Sequence, residues 1–388
     1  MTGPPAVGSR RATTAPPNPA PPTTAPPGTT PPSTTTPSTT TPNTSPPVRT
    51  LRVGQIVSVP VGARSVVVGC LLTAAIMTTA VLTLTLGDLG LPVDRLRDMF
   101  GHGLSPQEEF VLGRLRGPRL AVAVTAGAGL GIAGALFQTV TRNPLGSPDV
   151  IGLAAGAGAG AAAFGLMWTG VLPLPMGALV GALVAMLLVY LGTGHGFSSP
   201  ARMIIVGIGV NAMALAFIQW IITRTSREQA TVIAAYLNGS TASRSWDDVR
   251  LMAVALVILL PLAAMLSRRL QVLEMGDEVA ESLGARANLT RICTVIVAIC
   301  CATAAVTVVG PVAFVALTAP QIGRRLTRAT GPNIVVAALT GALILALADL
   351  IVQQGPLNTQ LPVGILTAAV GGVYLGYLLI KEWKRVSV

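Results

Sequence analysis

Long stretches without a single charged residue constrain this chain more than any other feature. Residues 65 to 87, between Arg64 and Asp88, are 23 positions free of Asp, Glu, Lys and Arg, and residues 120 to 141, between Arg119 and Arg142, are 22. About 20 apolar residues cross the hydrocarbon core of a bilayer as one helix, so each run predicts one span. Residues 150 to 201 add 52 more, divided by Pro173 and Pro175 into a third and a fourth span, the latter ending in a loop over 192 to 200. Residues 203 to 223 and 251 to 267 predict a fifth and a sixth. The 32 uncharged residues from 292 to 323 are interrupted by Gly310-Pro311. Proline there removes an amide donor, so we read a seventh helix ending near Val309 and a shorter eighth from Val312 to about Leu326. Residues 329 to 348 predict a ninth, and a tenth runs from about Pro362 to Ile380, beyond the Gly355-Pro356 break. The expected fold class is an all-α polytopic membrane protein of about ten transmembrane helices over residues 61–388.

Charge supports this and orients it. Only 11% of residues are charged, against about 25% in a soluble domain. If the N-terminus is cytoplasmic, 17 of the 26 basic residues fall on the inner side and nine on the outer, where eight acids offset them. The positive-inside bias therefore predicts both termini in the cytoplasm and a multi-pass chain in the cytoplasmic membrane. The outer charge is nearly neutral, so the formal +11 calls for no nucleic-acid partner. Residues 1 to 50 hold 15 of the 30 prolines and 15 threonines. With so little to bury, residues 1–60 are expected to form a disordered cytoplasmic Pro/Thr-rich tail, and no signal-peptide pattern is present.

Several chemistries are excluded by context. Gly129-Leu130-Gly131-Ile132-Ala133-Gly134 fits a dinucleotide fingerprint but lies inside an uncharged run with no preceding strand. Gly127 and Gly131 instead suit close helix packing, as do Gly156, Gly158 and Gly160. Cys70, Cys293, Cys300 and Cys301 fall inside predicted helices, and His102 and His195 fall in loops on opposite faces, so no disulfide framework or metal site is readable. Asp349 is the one acid within a span, close to its outer end, where a satisfied or solvated carboxylate is the expectation. Of the 26 basic residues only Lys381 and Lys384 are lysines, following Ile380 and Trp383. A phosphate-binding loop needs Gly-Lys-Ser/Thr, so any ATP hydrolysis has to come from a separate subunit.

Three ordered segments resemble the iron-siderophore and vitamin B12 permeases of bacterial ABC importers, the FecCD/BtuC-like family. The first runs from Leu115-Arg116-Gly117-Pro118-Arg119-Leu120 through Ala133 to Gln138 and on to Arg142-Asn143-Pro144-Leu145-Gly146-Ser147-Pro148-Asp149-Val150-Ile151-Gly152. The second is Leu273 to Gly284, and the third comprises Gly310 to Leu317, Ala319-Pro320-Gln321-Ile322, Ala348-Asp349-Leu350 and Leu361 to Ile365. Within the family, Thr141 to Gly152, Tyr236 to Ser240 and Gln321 after Pro320 are most similar to a ferric-enterobactin permease subunit.

The resemblance implies a type II importer fold with ten transmembrane helices. It implies a permease subunit with no catalytic residues and no cofactor of its own, ATP and Mg being held by a cytoplasmic ATPase. The implied partners are a homologous permease, that ATPase and a substrate-binding lipoprotein; the implied substrate is a ferric siderophore, with vitamin B12 or haem as the alternative. Gly276, Asp277, Glu278, Val279, Ala280, Glu281, Leu283 and Gly284 correspond to the coupling helix, for which Asp277 reads as the N-cap and Gly284 as the stop. Arg116 and Arg119 match family arginines that meet acids on the binding protein. Gln353 and Gln360 depart from the charged residues of related permeases. Gly127, Gly131, Gly310, Pro311, Pro320 and Gln321 are the candidates for helix packing and gating. Two other classes compete: an ion-coupled secondary transporter using Gly310-Pro311 and Asp349, and a membrane scaffold using the Thr/Pro tail.

Overall fold

The computed structural model describes residues 49–53, 57–87, 90–92, 95, 105–194, 199–329, 331–355 and 361–386, together with Gly3. The chain divides into two units, Met1–Pro46 and Pro47–Val388, and every element below belongs to the second. His102, His195 and Gln360, and the body of the expected tail, lie outside the described residues.

The tail expectation does not hold up to residue 60. Strands β1 (Arg49–Val53) and β2 (Val57–Val61) pair antiparallel, with Leu51 opposite Val59. Alternating apolar residues on both sides of Gly54 supply a hairpin pattern that the composition of the first fifty residues conceals.

The other described elements are helical: α1 (Ala63–Thr85), α2 (Pro106–Thr141), α3 (Leu153–Met167), α4 (Leu174–Thr193), α5 (Pro200–Thr223), α6 (Arg227–Leu237), α7 (Trp246–Glu274), α8 (Asp277–Ser282), α9 (Ala287–Val309), α10 (Val315–Thr327), α11 (Ile334–Gln354) and α12 (Val363–Val386). Seven of these, α1, α2, α4, α5, α7, α9 and α11, are long and apolar enough to cross a membrane. The apolar parts of α3 and α12 are shorter, and α10 has 13 residues. Together these ten correspond to the ten expected spans; α6 was not anticipated.

α2 starts earlier than the uncharged run suggested. Ser105 caps it reciprocally, its Oγ accepting from the Glu108 amide while Glu108 Oε2 accepts from the Ser105 amide. Pro106 then takes the first helical position, where a missing amide hydrogen is harmless. A π-helical turn over Val111–Arg116 leads into the straight part of the helix.

The centre of the bundle is α2, α9 and α11, whose apolar stretches are 72%, 72% and 61% buried; α1 and α7, at 17% and 11%, lie at the periphery. Apolar burial gives helices in lipid little reason to associate, so backbone proximity has to do so. The α2–α11 and α2–α10 contacts are built this way. A methyl group at Gly127 would overlap the Gly341 carbonyl, one at Gly131 the Ala337 carbonyl, and one at Gly134 the Ala316 carbonyl. Gly160 and Gly181 do the same for α3 against α4.

Side-chain contacts mark two ends of the bundle. At the first end the Arg64 Nε donates to the Leu326 carbonyl (2.8 Å) and the Arg142 Nη2 to the Leu273 carbonyl (2.8 Å). At the second end Arg116 reaches the end of α1, and the Trp246 indole donates to the Gly113 carbonyl (2.6 Å).

Candidate functional site

Three polar assemblies interrupt the apolar bundle. The first is at the second end, around Asp349, which is 1% exposed and lies inside α11, five residues before its last. The expected ninth helix stopped at 348; the structure carries it to Gln354, which places the carboxylate within the bundle. Arg119 donates through Nε to both oxygens (2.9 and 3.1 Å) and through Nη2 to Oδ1 (2.8 Å). Gln353 Nε2 donates to Oδ2 at 2.6 Å, and the Thr241 hydroxyl donates to Oδ1. The carboxylate is thus saturated by three segments, α2, α11 and the turn after α6. Gln353 completes this cage.

Arg116 is committed elsewhere. Its Nη1 donates to the Thr83 and Leu86 carbonyls, both at 2.7 Å, and so caps the C-terminal end of α1, where the helix dipole favours a cation. The structure therefore gives both expected docking arginines partners within the chain.

The second assembly is a junction of non-helical backbone. After α6 the chain turns through Asn238-Gly239, after α9 it breaks at Gly310-Pro311, and α12 begins at Val363-Gly364; the three places meet. Ser240 N donates to the Val309 carbonyl (2.8 Å) and Gly364 N to the Gly239 carbonyl (3.1 Å). Side chains are excluded here: a methyl group at Gly239 would strike the Pro311 carbonyl, one at Gly310 the Tyr236 carbonyl, and one at Gly364 the Asn238 carbonyl. Gly239 and Gly310 also have φ of +70° and +84°, conformations that favour glycine. The Tyr236 hydroxyl donates to the Val306 carbonyl (2.9 Å) and pins α6 to α9.

Beside this junction is a cavity of about 340 Å³, lined among others by Asp149, Ala154, Asn238, Pro311, Gly364 and Ile365. Asp149 enters from a 3₁₀ turn, Pro148–Ile151, in the connector between α2 and α3. Its Oδ2 accepts from the Ser147 hydroxyl at 3.1 Å. Burial pushes this carboxyl up to about 6, the Ser147 hydrogen bond opposing the rise.

The third assembly is at the first end. Gln138 Nε2 donates to the Leu317 carbonyl (2.9 Å), Arg324 donates to Gln138 Oε1, and Gln321 Nε2 donates to the Pro144 carbonyl (2.6 Å). Pro320 is buried within α10, and Gln321 thereby ties α10 to the α2–α3 connector. Next to it lies α8. Gly276, at φ +113°, is its N-cap, so Asp277 is the first helical residue rather than the cap. The preceding helix ends at Glu274 with Met275 as its C-cap, and the glycine turn that follows restarts the helix one residue earlier than a cap at Asp277 would. Gly284, at φ +78°, stands just past the end of the helix, where a stop was expected. Ala280 is fully buried against Leu273 and Ala287, whereas Glu278, Val279, Glu281 and Leu283 are exposed.

Sequence reasoning singled out Gly310-Pro311 and Asp349 but not what they touch. Arg119 was proposed as a surface contact, and Asp149 was read only as part of a motif. Asn238, Gly239 and Gly364 lie in segments that carry the family resemblance, but their contacts were not readable, because they are made with segments distant in the chain.

Comparison with known proteins agrees with this architecture. A solved inward-facing metal-chelate type ABC transporter matches with a TM-score of 0.72 at 24% identity, over 81% of this chain and 99% of that one, a likeness of fold. The ferric enterobactin transport system permease protein FepG of Escherichia coli is 40% identical over 69% of this chain and 82% of its own. The Fe(3+)-citrate import system permease protein YfmE of Bacillus subtilis is 36% identical over 73% and 86%. The iron(3+)-hydroxamate import system permease protein FhuG of the same organism is 31% identical over 75% and 89%. The model of the FecCD transport family matches residues 72–381, and the chain belongs to that family.

Proposed function

We propose that this chain is a permease subunit of an ATP-binding-cassette importer that moves a ferric siderophore across the cytoplasmic membrane. The observation that carries the reading is its identity of 31 to 40% with permeases named for ferric enterobactin, ferric citrate and ferric hydroxamates, each matched over most of its length. The chain performs no covalent chemistry; it supplies a protein-lined route through the bilayer.

The local physics supports the division of labour. With no lysine available for a phosphate-binding loop, ATP hydrolysis falls to a cytoplasmic partner. α8 suits its docking: one buried alanine anchors the helix, while Val279, Leu283, Glu278 and Glu281 remain exposed for the ATPase. The first end of the bundle then faces the cytoplasm, a reading that the positive-inside bias of its basic residues supports. The second end receives a substrate-binding lipoprotein, to which Arg116 and Arg119 contribute, and a homologous permease completes the channel.

Uptake of radiolabelled iron chelates by vesicles carrying the whole transporter tests this reading. ATP-dependent uptake that disappears without the ATPase subunit is expected. Uptake that persists without it and collapses with the proton gradient would overturn the reading in favour of ion-coupled transport.

A further inference from the structure

The cavity beside the glycine junction has a chemical bias that the transport reading does not supply. Non-helical backbone among membrane-spanning helices is tolerated where it is buried in protein or lines a water-filled space. Here the turn after α6, the break after α9 and the start of α12 all border one cavity, and the connector before α3 contributes an ionisable group to it. That group, Asp149, is the only charged side chain among the described lining residues. Its described partner is a hydroxyl, not a cation.

The other polar side chain on the wall is Asn238. Its Nδ2 donates to the Ala234 carbonyl at 2.7 Å, which leaves the side chain its oxygen and one N–H. Both polar side chains carry an acceptor oxygen, and the one side-chain charge on the described wall is negative. The first turns of α3, with Ala154, and of α12, with Gly364 and Ile365, border the same space. Their positive dipole ends favour the carboxylate over the carboxylic acid.

We propose that Asp149 is a charge-selecting residue on the cargo route, which takes chelates presenting ammonium, amide or hydroxyl donors in preference to chelates rimmed with carboxylates. This deepens the transport reading and rests on it for the identification of the cavity with a cargo route. A carboxylate on the wall accepts hydrogen bonds from donors, raises the local concentration of cations and repels anions.

Thiol labelling tests it without knowledge of the substrate. Asn238→Cys is introduced into the assembled transporter in membrane vesicles, in a chain whose four native cysteines are replaced by serine. The rates of a cationic and an anionic methanethiosulfonate are measured, each divided by its rate with a free thiol in solution. With Asp149 present, the normalised cation-to-anion ratio is expected to be about tenfold. It is expected to fall close to one in Asp149→Asn and to recover in Asp149→Glu. Ala368→Cys, on the same wall, repeats the measurement at a second position. A ratio that Asp149→Asn leaves unchanged, a preference for the anion, or failure of both reagents to reach either cysteine would overturn the proposal. Labelling needs neither ATP nor cargo, so its outcome is separate from that of the uptake assay.

Discussion

Arg119 and Asp349 are 230 positions apart in sequence and 2.8 Å apart in the folded chain. Asp349 is buried and Arg119 half-buried, and the pair joins the two central helices α2 and α11 at the end of the bundle where the turn after α6 also arrives. Removing one member of a buried pair leaves the other uncompensated. Asp349→Asn is expected to destabilise the solubilised protein by about 3 kcal/mol, and Asp349→Asn with Arg119→Met by clearly less. Unfolding of the two variants, followed by tryptophan fluorescence or by loss of detergent-soluble protein, decides it; equal destabilisation would show the pair to be uncoupled.

The α2–α11 interface predicts a sharp contrast among glycines. Gly131→Leu drives a side chain into the Ala337 carbonyl and is expected to abolish accumulation of folded protein. Gly209→Ala, where nothing lies within 4 Å of the new methyl, is expected to be neutral or to stabilise α5 by up to about 1 kcal/mol. Expression level and thermal midpoint of both variants check this.

α8 predicts a separation of stability from coupling. Glu278 is exposed, so Glu278→Lys is expected to leave the thermal midpoint of the permease unchanged while weakening capture of the ATPase severalfold. Co-purification and ATP-driven uptake are the readouts; retention of both would remove α8 from the docking surface.

Asp149 predicts a dependence on pH. Its carboxyl is raised from 3.8 to about 6, so between those values the folded chain holds a proton that the unfolded chain has released. The stability this provides is complete below pH 3.8 and is lost as pH rises through 6. Asp149→Asn escapes the loss. Its thermal midpoint is expected to gain on that of the native chain between pH 4 and pH 7, by an amount equivalent to about 1–2 kcal/mol after screening by cavity water. A constant difference across this range would contradict the burial of the ionised group.

The spans were legible because lipid punishes charge, so uncharged runs map onto helices with little ambiguity. The same criterion cut α2 short at Arg119, since that arginine faces a carboxylate inside the bundle instead of marking a membrane boundary. It also passed over α6, a helix containing Arg227 and Glu228 that never needs to span. The partners of Asp349 were invisible for a topological reason. Arg119, Thr241 and Gln353 come from three segments, and nothing local to any of them announces the meeting. Asp149 stood in plain view within a quoted motif, but only the convergence of Asn238, Pro311 and Gly364 on the same space gives its charge a use.

The glycine junction has a consequence for biogenesis. Its components emerge from the ribosome at residues 239, 310 and 364, in that order, and the Gly239 carbonyl receives its hydrogen bond from the last of them. Until α12 has been threaded into the membrane, the turn after α6 therefore waits with an unsatisfied acceptor beside an open cleft. A nascent chain stalled before Val363 would hold nine spans and an unsealed flank, a state suited to recognition by membrane quality-control proteases.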